Sequence, residues 1–580
     1  MNFRRFAFLA IYFLLCNPIQ AEDRYWVGES GSWDDPYNWS LTAGSPGGAG
    51  KPLNGYAVFL VQSDGINRTI TYNTFAPDSY WFTSLEVDAT GSGATTLSIQ
   101  QTLDVSKQLI GHYGNGTLKL SEGTNSAFSL VLGYWGTANG TFDMTGGNLL
   151  SYGEVIGSLG TGTFNQTGGS NILNGTALSG YGIVSIGSSE GSSGTYNLGG
   201  TGSLEARGIS VRYGVFNHSA GTSATQFLTL GNPGSNPSTY NLSGEASLTV
   251  SNNQYVGSGG GSGVFNQTGG VNTVRGTTSS ALYLGMDAGS NGVYNLSGNG
   301  SLVANSEHIG EYGVGTFNQT DGSNSSDAGI WIGARNGSSG TYNLSKGELT
   351  SPYEAIGFVG TGVFNQYGGS NSVAGRLDIG ISSGTYNMYG GTLTAVNTVV
   401  HPGGTFNIIG GDVFTPLTNN GFVAGSGELT GDFVNFGALA PGLSPGILTI
   451  DGNFTQDFLG ILQVELAGYT KGAEYDFLSI TGAARLNGTL DVDLLSFFDP
   501  SPGSVFNILH AEGGILDTRF ALFAFPTLSG GKYWDIGYGT KDVFIYVQGG
   551  TEPVPEPSTM LLLGSGLAGL VGYGKRRMKK

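Results

Sequence analysis

Gly263-Val264-Phe265-Asn266-Gln267-Thr268 and Gly292-Val293-Tyr294-Asn295-Leu296-Ser297 are the two halves of one doublet, and their recurrence decides the fold. An aromatic followed by Asn stands at Phe164, Tyr196, Phe216, Tyr240, Phe265, Tyr294, Phe317, Tyr342, Phe364, Tyr386 and Phe406, with Phe and Tyr alternating throughout. Successive aromatics are 20 to 32 residues apart, so the doublet is roughly 50 residues long, a period that marks a repeat architecture. A second column, an aliphatic usually followed by Gly, runs through Ile110, Leu132, Ile156, Ile186, Val211, Leu230, Val256, Leu284, Ile309, Ile332, Ile356 and Ile379. Gly-rich corners such as 310–315 lie between the columns and absorb the length differences, as turn residues with φ > 0 do.

Two or three short strands per unit fit one coil of an all-β, right-handed parallel β-helix, a solenoid of about twelve coils with β flanks at both ends. At about 4.8 Å per coil the rod would be on the order of 60 Å long. The aliphatic column becomes a buried ladder and the Phe/Tyr column a stack of offset rings. The Asn column forms either a side-chain amide ladder at a corner or a row of ordinary turn residues. The rival is a β-propeller with one blade per doublet. The two halves of each doublet resemble each other too closely for the four differing strands of a blade.

Composition agrees. Gly makes up 103 of 580 residues, 103/580 or 18%, against about 7% in ordinary domains. Charged residues are 11% and hydrophobic ones 39%, too apolar for a disordered chain, and there is no Gly-X-Y period for collagen. Net charge is −18, from 23 Lys+Arg against 41 Asp+Glu. Setting aside Arg4, Arg5 and the five basic residues at 575–580 leaves 23−2−5 = 16 against 41, or −25 for the remainder of the chain. Such a body repels nucleic acid, whose binding rests on Lys and Arg.

The apolar run Phe6–Cys16 follows Arg4-Arg5 and leads to Ile19-Gln20-Ala21, which reads as a signal peptide cut after Ala21. Cys16 is the only cysteine, and bulky Leu15 before it argues against a lipoprotein signal. The mature body would then hold together without disulfides. At the other end, Val554-Pro555-Glu556-Pro557-Ser558-Thr559 precedes the apolar stretch 560–573 and the basic tail Lys575, Arg576, Arg577, Lys579, Lys580. That stretch is shorter than the roughly 20 residues of a stable span. It would enter the inner membrane as a short transmembrane helix with its basic end cytoplasmic. A simple C-terminal anchor is the plain reading.

This tripartite end resembles a PEP-CTERM sorting signal, with Pro555, Glu556 and Pro557 as its motif. The resemblance covers about the last 28 residues. It implies processing by an exosortase in an exopolysaccharide-producing Gram-negative bacterium, through a membrane-anchored intermediate, and delivery to the cell surface or its extracellular matrix. Two other stretches resemble autotransporter passengers. One is the opening around Trp26, Trp33 and Trp39; the other is Ala440-Pro441-Gly442-Leu443-Ser444-Pro445-Gly446 with Tyr475–Ile480. No membrane-barrel pattern follows them. The chain divides into a signal peptide (1–21), an N-terminal β cap region (22–105), Gly-rich repeats (106–435), a C-terminal β domain (436–550) and the sorting signal (551–580). The three Trp serve as a packed cap or as an exposed sugar platform. The C-terminal β domain is either a further cap or a separate sandwich.

No catalytic site is evident. The densest polar patch is Glu307, His308, Glu311, Asp321, Asp327 and Arg335. Stacking places Tyr312 over Arg335 and brings Glu311 near Arg335, which a surface ion pair explains as well as chemistry does. Asp321–Asp327 lacks a calcium-loop pattern, 257–263 lacks the Lys-Ser/Thr of a P-loop, and no Cys/His cluster suggests a metal. No cofactor is expected. The chain reads as a non-enzymatic structural or adhesive surface protein associated with exopolysaccharide. The alternative is a polysaccharide lyase or glycoside hydrolase on the same scaffold.

Overall fold

The computed structural model describes residues 22–549 apart from 74–80, 175–180, 232–233, 235–236 and 443. The signal segment and the sorting tail lie outside the described residues. Strands dominate, and the one helical element among the described residues is the short 3-10 turn Pro36–Asn38. The fold is a parallel β-solenoid of about 17 turns rather than twelve. The extra turns come from parallel ladders within residues 57–99 of the first unit and within residues 412–494 of the second. The chain forms two compact units, Met1–Phe406 and Asn407–Lys580.

In the first unit each coil contributes to two parallel sheets. One, the aliphatic sheet, pairs Ser301–Ile309 with Ser323–Ile332 and then Glu348–Ile356. Ile309 therefore faces Ile332, which faces Ile356, all buried. The other, the aromatic sheet, pairs Asn291–Leu296, Val314–Gln319 and Ser339–Leu344 residue for residue. Inward positions of these strands are Gly, an aromatic, and Leu or Gln; outward positions are Thr or Val, then Asn. From Phe164 to Tyr386 every ring stacks on the next at 4.6–5.0 Å between centroids and 3–14° between planes. At either end the stack stops, with Phe142 and Phe406 turning edge-on.

Glycine is required where the sheets meet. Gly333 has φ of 67°, and a Cβ on Gly340 would lie 2.1 Å from the carbonyl oxygen of Ile309. The Gly that precedes the Thr/Val-aromatic pair in every ladder strand but the one at Tyr240, where Ser238 stands, thus lets the strand close against the corner of the neighbouring coil.

The Phe/Tyr alternation has a polar cause that the periodicity alone did not disclose. One inward column reads Gln108, Leu130, Glu154, then after an aliphatic run Leu228, Gln254, Leu282, Glu307, Ile330, Glu354, Leu377. A second reads Asn125, Leu149, Asn171, Leu204, Ser223, Leu248, Asn272, Leu302, Asn324, Leu349, Asn371. The two columns are out of phase, so a Glu or Gln of one coil meets an Asn of the next and each buried polar cluster spans a pair of coils. In one cluster the Tyr342 hydroxyl donates to Gln319 Oε1 at 2.5 Å and accepts from Asn324 Nδ2 at 3.1 Å. Gln319 Nε2 in turn satisfies the Gly322 and Glu348 carbonyls at 3.2 and 2.9 Å. The same set recurs at Tyr196, Tyr294 and Tyr386. At Tyr240 a histidine replaces the Gln: His218 Nε2 donates to the Gly221 carbonyl, so Nδ1 accepts from the Tyr240 hydroxyl. Burial pushes the His218 imidazole down to about 4, which keeps it neutral. Phe stands where no hydroxyl is wanted, and Tyr where a Gln or His awaits one.

The Asn column is the amide ladder. From Asn165 to Asn387 each Nδ2 donates to the Asn Oδ1 one coil earlier, nine bonds of 2.8–2.9 Å. It runs along the outer side of the strands and not at a corner, because the residue before it must point its ring inward.

Trp26, Trp33 and Trp39 are 2, 1 and 0% exposed and pack edge-on against one another. These side chains are packed, and the sugar-platform reading is corrected: an indole surrounded by Tyr72 and Phe82 has no face left for a ligand. In the second unit, parallel coils built on Asp412–Phe414, Glu428–Thr430 and Ile447–Asp451 end in antiparallel pairing of Val505–Ala511 and Lys532–Tyr538 with Asp542–Gly549. Asp476 pins the Pro-Gly turn of this unit, accepting from the Gly446 and Glu465 amides at 2.8 Å each.

Removing the Tyr342 hydroxyl leaves the buried Gln319 oxygen without its donor. Tyr342→Phe is expected to cost about 1–3 kcal/mol, read as a lowered urea midpoint, whereas an unchanged midpoint would refute the polar account of the alternation.

Candidate functional site

The polar patch seen in the sequence divides across the wall of the coil. Glu307 points inward and is fully buried, with Asn324 Nδ2 3.1 Å from its Oε2. Its neighbour His308 points outward, by the period-two rule, and donates through Nδ1 to Glu311 Oε2 at 2.9 Å. Arg335, one coil on, donates through Nε to Glu311 Oε1 at 2.8 Å and lies 5.9 Å from the Tyr312 ring centroid. The expected approach of Glu311 and Arg335 is therefore present. Burial favours the neutral form of Glu311, but the His308 and Arg335 hydrogen bonds prevail and hold its carboxyl below the usual range. Asp321 is exposed and bonds its own neighbour's amide, while Asp327 pairs with Arg275. These last two do not join the group. Asp378 repeats the arrangement nearby, with Tyr353, Arg376 and His401 on its two oxygens. No group of three or more potential ligands for a metal occurs among the described residues.

Outside the aliphatic sheet, the residues before the buried aliphatic in four successive coils form an aromatic row. Tyr255, Tyr283, His308 and Trp331 follow one another at 4.8–5.5 Å, and Tyr353 lies 5.9 Å beyond. The planes of the first four rings are 14–34° apart, and Tyr353 is tilted by 56° against Trp331.

A different site was not legible in the sequence. Near the N-terminal end of the first unit, Tyr25, Phe59 and Glu86 stand in register on three stacked strands. Together with residues 43–46, Gln62, Ser63 and Tyr113 they line a cavity of about 750 Å³. Tyr25 and Phe59 stack at 4.8 Å on one wall. Tyr113 is 56% exposed at the rim and lies parallel to Trp135, itself 43% exposed. Gln62 spends its Nε2 on the Trp26 carbonyl, so its Oε1 is turned to acceptor work. Glu86 lies 3.0 Å from His112 Nδ1. The stacked pair Tyr25–Phe59 and the exposed Tyr113 ring, beside carboxylate, amide and hydroxyl oxygens, suit a ligand with a C–H face and several O–H donors. Tyr113 and Trp135 belong to neither repeat column, so no period marked them.

The sorting residues Pro555, Glu556 and Pro557 and the basic tail lie outside the described residues. No helix of the described part is long and apolar enough to cross a membrane, and the stretch 560–573 is not among those residues.

The PEP-CTERM protein-sorting motif matches residues 553–577. The chain thus carries the signal of an exosortase substrate and is marked for export to the cell surface. No curated protein matches it. Among solved structures, the crystal structure of the Haemophilus influenzae Hap adhesin is similar over 85% of this chain at 11% identity, with a TM-score of 0.28. The match spans 64% of that adhesin, less than two thirds of its length. A likeness at that score gives no ground for transferring the adhesin's activity.

Proposed function

We propose that the protein is a non-enzymatic structural or adhesive solenoid of the extracellular matrix of a Gram-negative bacterium, holding neutral exopolysaccharide. An exosortase-type enzyme would process it near Pro555–Pro557 from an intermediate held in the inner membrane by 560–573 and its basic tail. The cavity at Tyr25, Phe59, Glu86 and Tyr113 is the observation that carries the sugar reading. Its walls offer pyranose rings apolar contact, and its acceptors, Glu86 and Gln62 Oε1, meet hydroxyl donors. A carboxylate in the wall and a body charge of 16 − 39 = −23 over residues 22–550 disfavour acidic polysaccharides. The outer face of the aromatic sheet supports a scaffolding role. Over ten coils its Thr/Val and Asn positions carry no charge, and a ladder Asn bonded to one neighbour on each side, as Asn197 to Asn365 are, uses one of its two N–H groups and one of its two lone pairs in the ladder.

Two measurements test this reading. Affinity electrophoresis against neutral and uronate-containing polysaccharides should show retardation by a neutral polymer. Tyr113→Ala should weaken it by about tenfold, roughly 1.4 kcal/mol, with unchanged thermal stability. Equal retardation of wild type and variant would remove the cavity from the account. Mass spectrometry of the surface fraction should find chains ending near residue 557, and an intact Lys580 there would contradict sorting.

A further inference from the structure

Glu154, Glu307 and Glu354 are fully buried, and no Lys or Arg among the described residues pairs with them. Each faces an Asn one coil further on, with Asn171, Asn324 and Asn371 Nδ2 at 3.0–3.1 Å from Oε2. Ser151 and Ser351 add a bond to Oε1 of Glu154 and Glu354, while Oε1 of Glu307 has no partner. The Oδ1 atoms of all three Asn are buried without a donor. At the same inward column, Gln108 stands in the place of the acid. There the pairing is reciprocal: Gln108 Nε2 donates to Asn125 Oδ1 at 2.7 Å and Asn125 Nδ2 returns the bond at 3.1 Å. Gln254 opposite Asn272 is the second amide of the column. A position that takes Gln or Glu against the same Asn, inside a core without counter-charge, is one for a neutral side chain that can donate.

We propose that Glu154, Glu307 and Glu354 are neutral carboxylic acids in the folded state, and that their ionisation loosens the coils around them as pH rises, a pH-sensitive element built into the solenoid core.

The surroundings agree from every side. The titratable groups near Glu154 are Tyr196; near Glu307, Tyr294, Tyr342 and Glu354; near Glu354, Tyr342, Tyr386 and Glu307. None of these is a cation, and the two acids oppose each other's ionisation. Burial pushes Glu154, Glu307 and Glu354 up to about 7, 8 and 7. The unfolded chain releases these protons near 4.5. Between that value and the folded ones the native state binds more protons, so stability falls as pH rises across this window. His218, held neutral, works in the opposite sense below 6.5. Asp476 in the second unit, raised to about 7 mainly by burial, adds to the alkaline loss.

The test is a series of thermal melts from about pH 5 to about pH 9 on the full chain and on the triple variant Glu154→Gln, Glu307→Gln, Glu354→Gln. The wild type should lose melting temperature toward the alkaline end, while the variant keeps most of it and melts above the wild type there. A residual slope from Asp476 is expected in both. Parallel curves would overturn the proposal. Infrared spectra of the wild type supply the second readout, independent of whether the triple variant folds. A protonated-carboxyl stretch near neutral pH, diminished in Glu354→Gln, is the expected result; its absence from the wild type sinks the idea.

Discussion

Exact stacking of one coil on the next is the constraint from which the rest follows. A side chain in this solenoid meets its counterpart one coil away at about 4.8 Å, so like residues accumulate into columns whether or not they attract. Columns of Ile and of stacked rings gain from that arrangement. Columns of like charge would not, which fits a charged share of only 11% and a ladder built from amides that donate and accept in turn.

Apolar stacking by itself does not fix register. A coil moved by one unit would still place aliphatic on aliphatic and ring on ring. The polar clusters remove that freedom. A Tyr hydroxyl meets its Gln or His only in the layer that follows a Phe unit, and a mismatched layer leaves a buried donor and acceptor unpaired, at about 1–3 kcal/mol for each group. The doublet is thus the length over which the core's hydrogen bonding closes on itself. The same closure explains how buried acids are tolerated: they occupy amide positions and are held as neutral groups.

Much of this was legible in the chain. The aliphatic and aromatic columns, the parallel stacking and the meeting of Glu311 with Arg335 all follow from spacing, because corners set the register and the repeat displays it. The extent of the solenoid was not legible. Residues 57–99 and 412–494 form coils without the aromatic-Asn signature, and alternation in Ala57–Gln62 or Ile461–Leu466 suits any half-buried strand. The direction in which Glu307 points could be read only with the strand in hand, since His308 beside it lies on the other face. The cavity at Tyr25 and Tyr113 joins residues from separate coils and a loop, and no repeat position announces it.

Register stacking is tested most directly by cross-linking neighbouring rungs, since Cys16 is the only native cysteine. In the pair Asn318→Cys with Asn343→Cys the two positions are adjacent in the ladder, and their native side chains bond at 2.8 Å. Mild oxidation should close this disulfide in most molecules, as their Cα atoms lie within the roughly 4.4–6.8 Å that such a bond spans. Asn318→Cys with Asn365→Cys, two rungs apart, should remain reduced. Efficient closure of the second pair, or none of the first, would contradict the stacked solenoid.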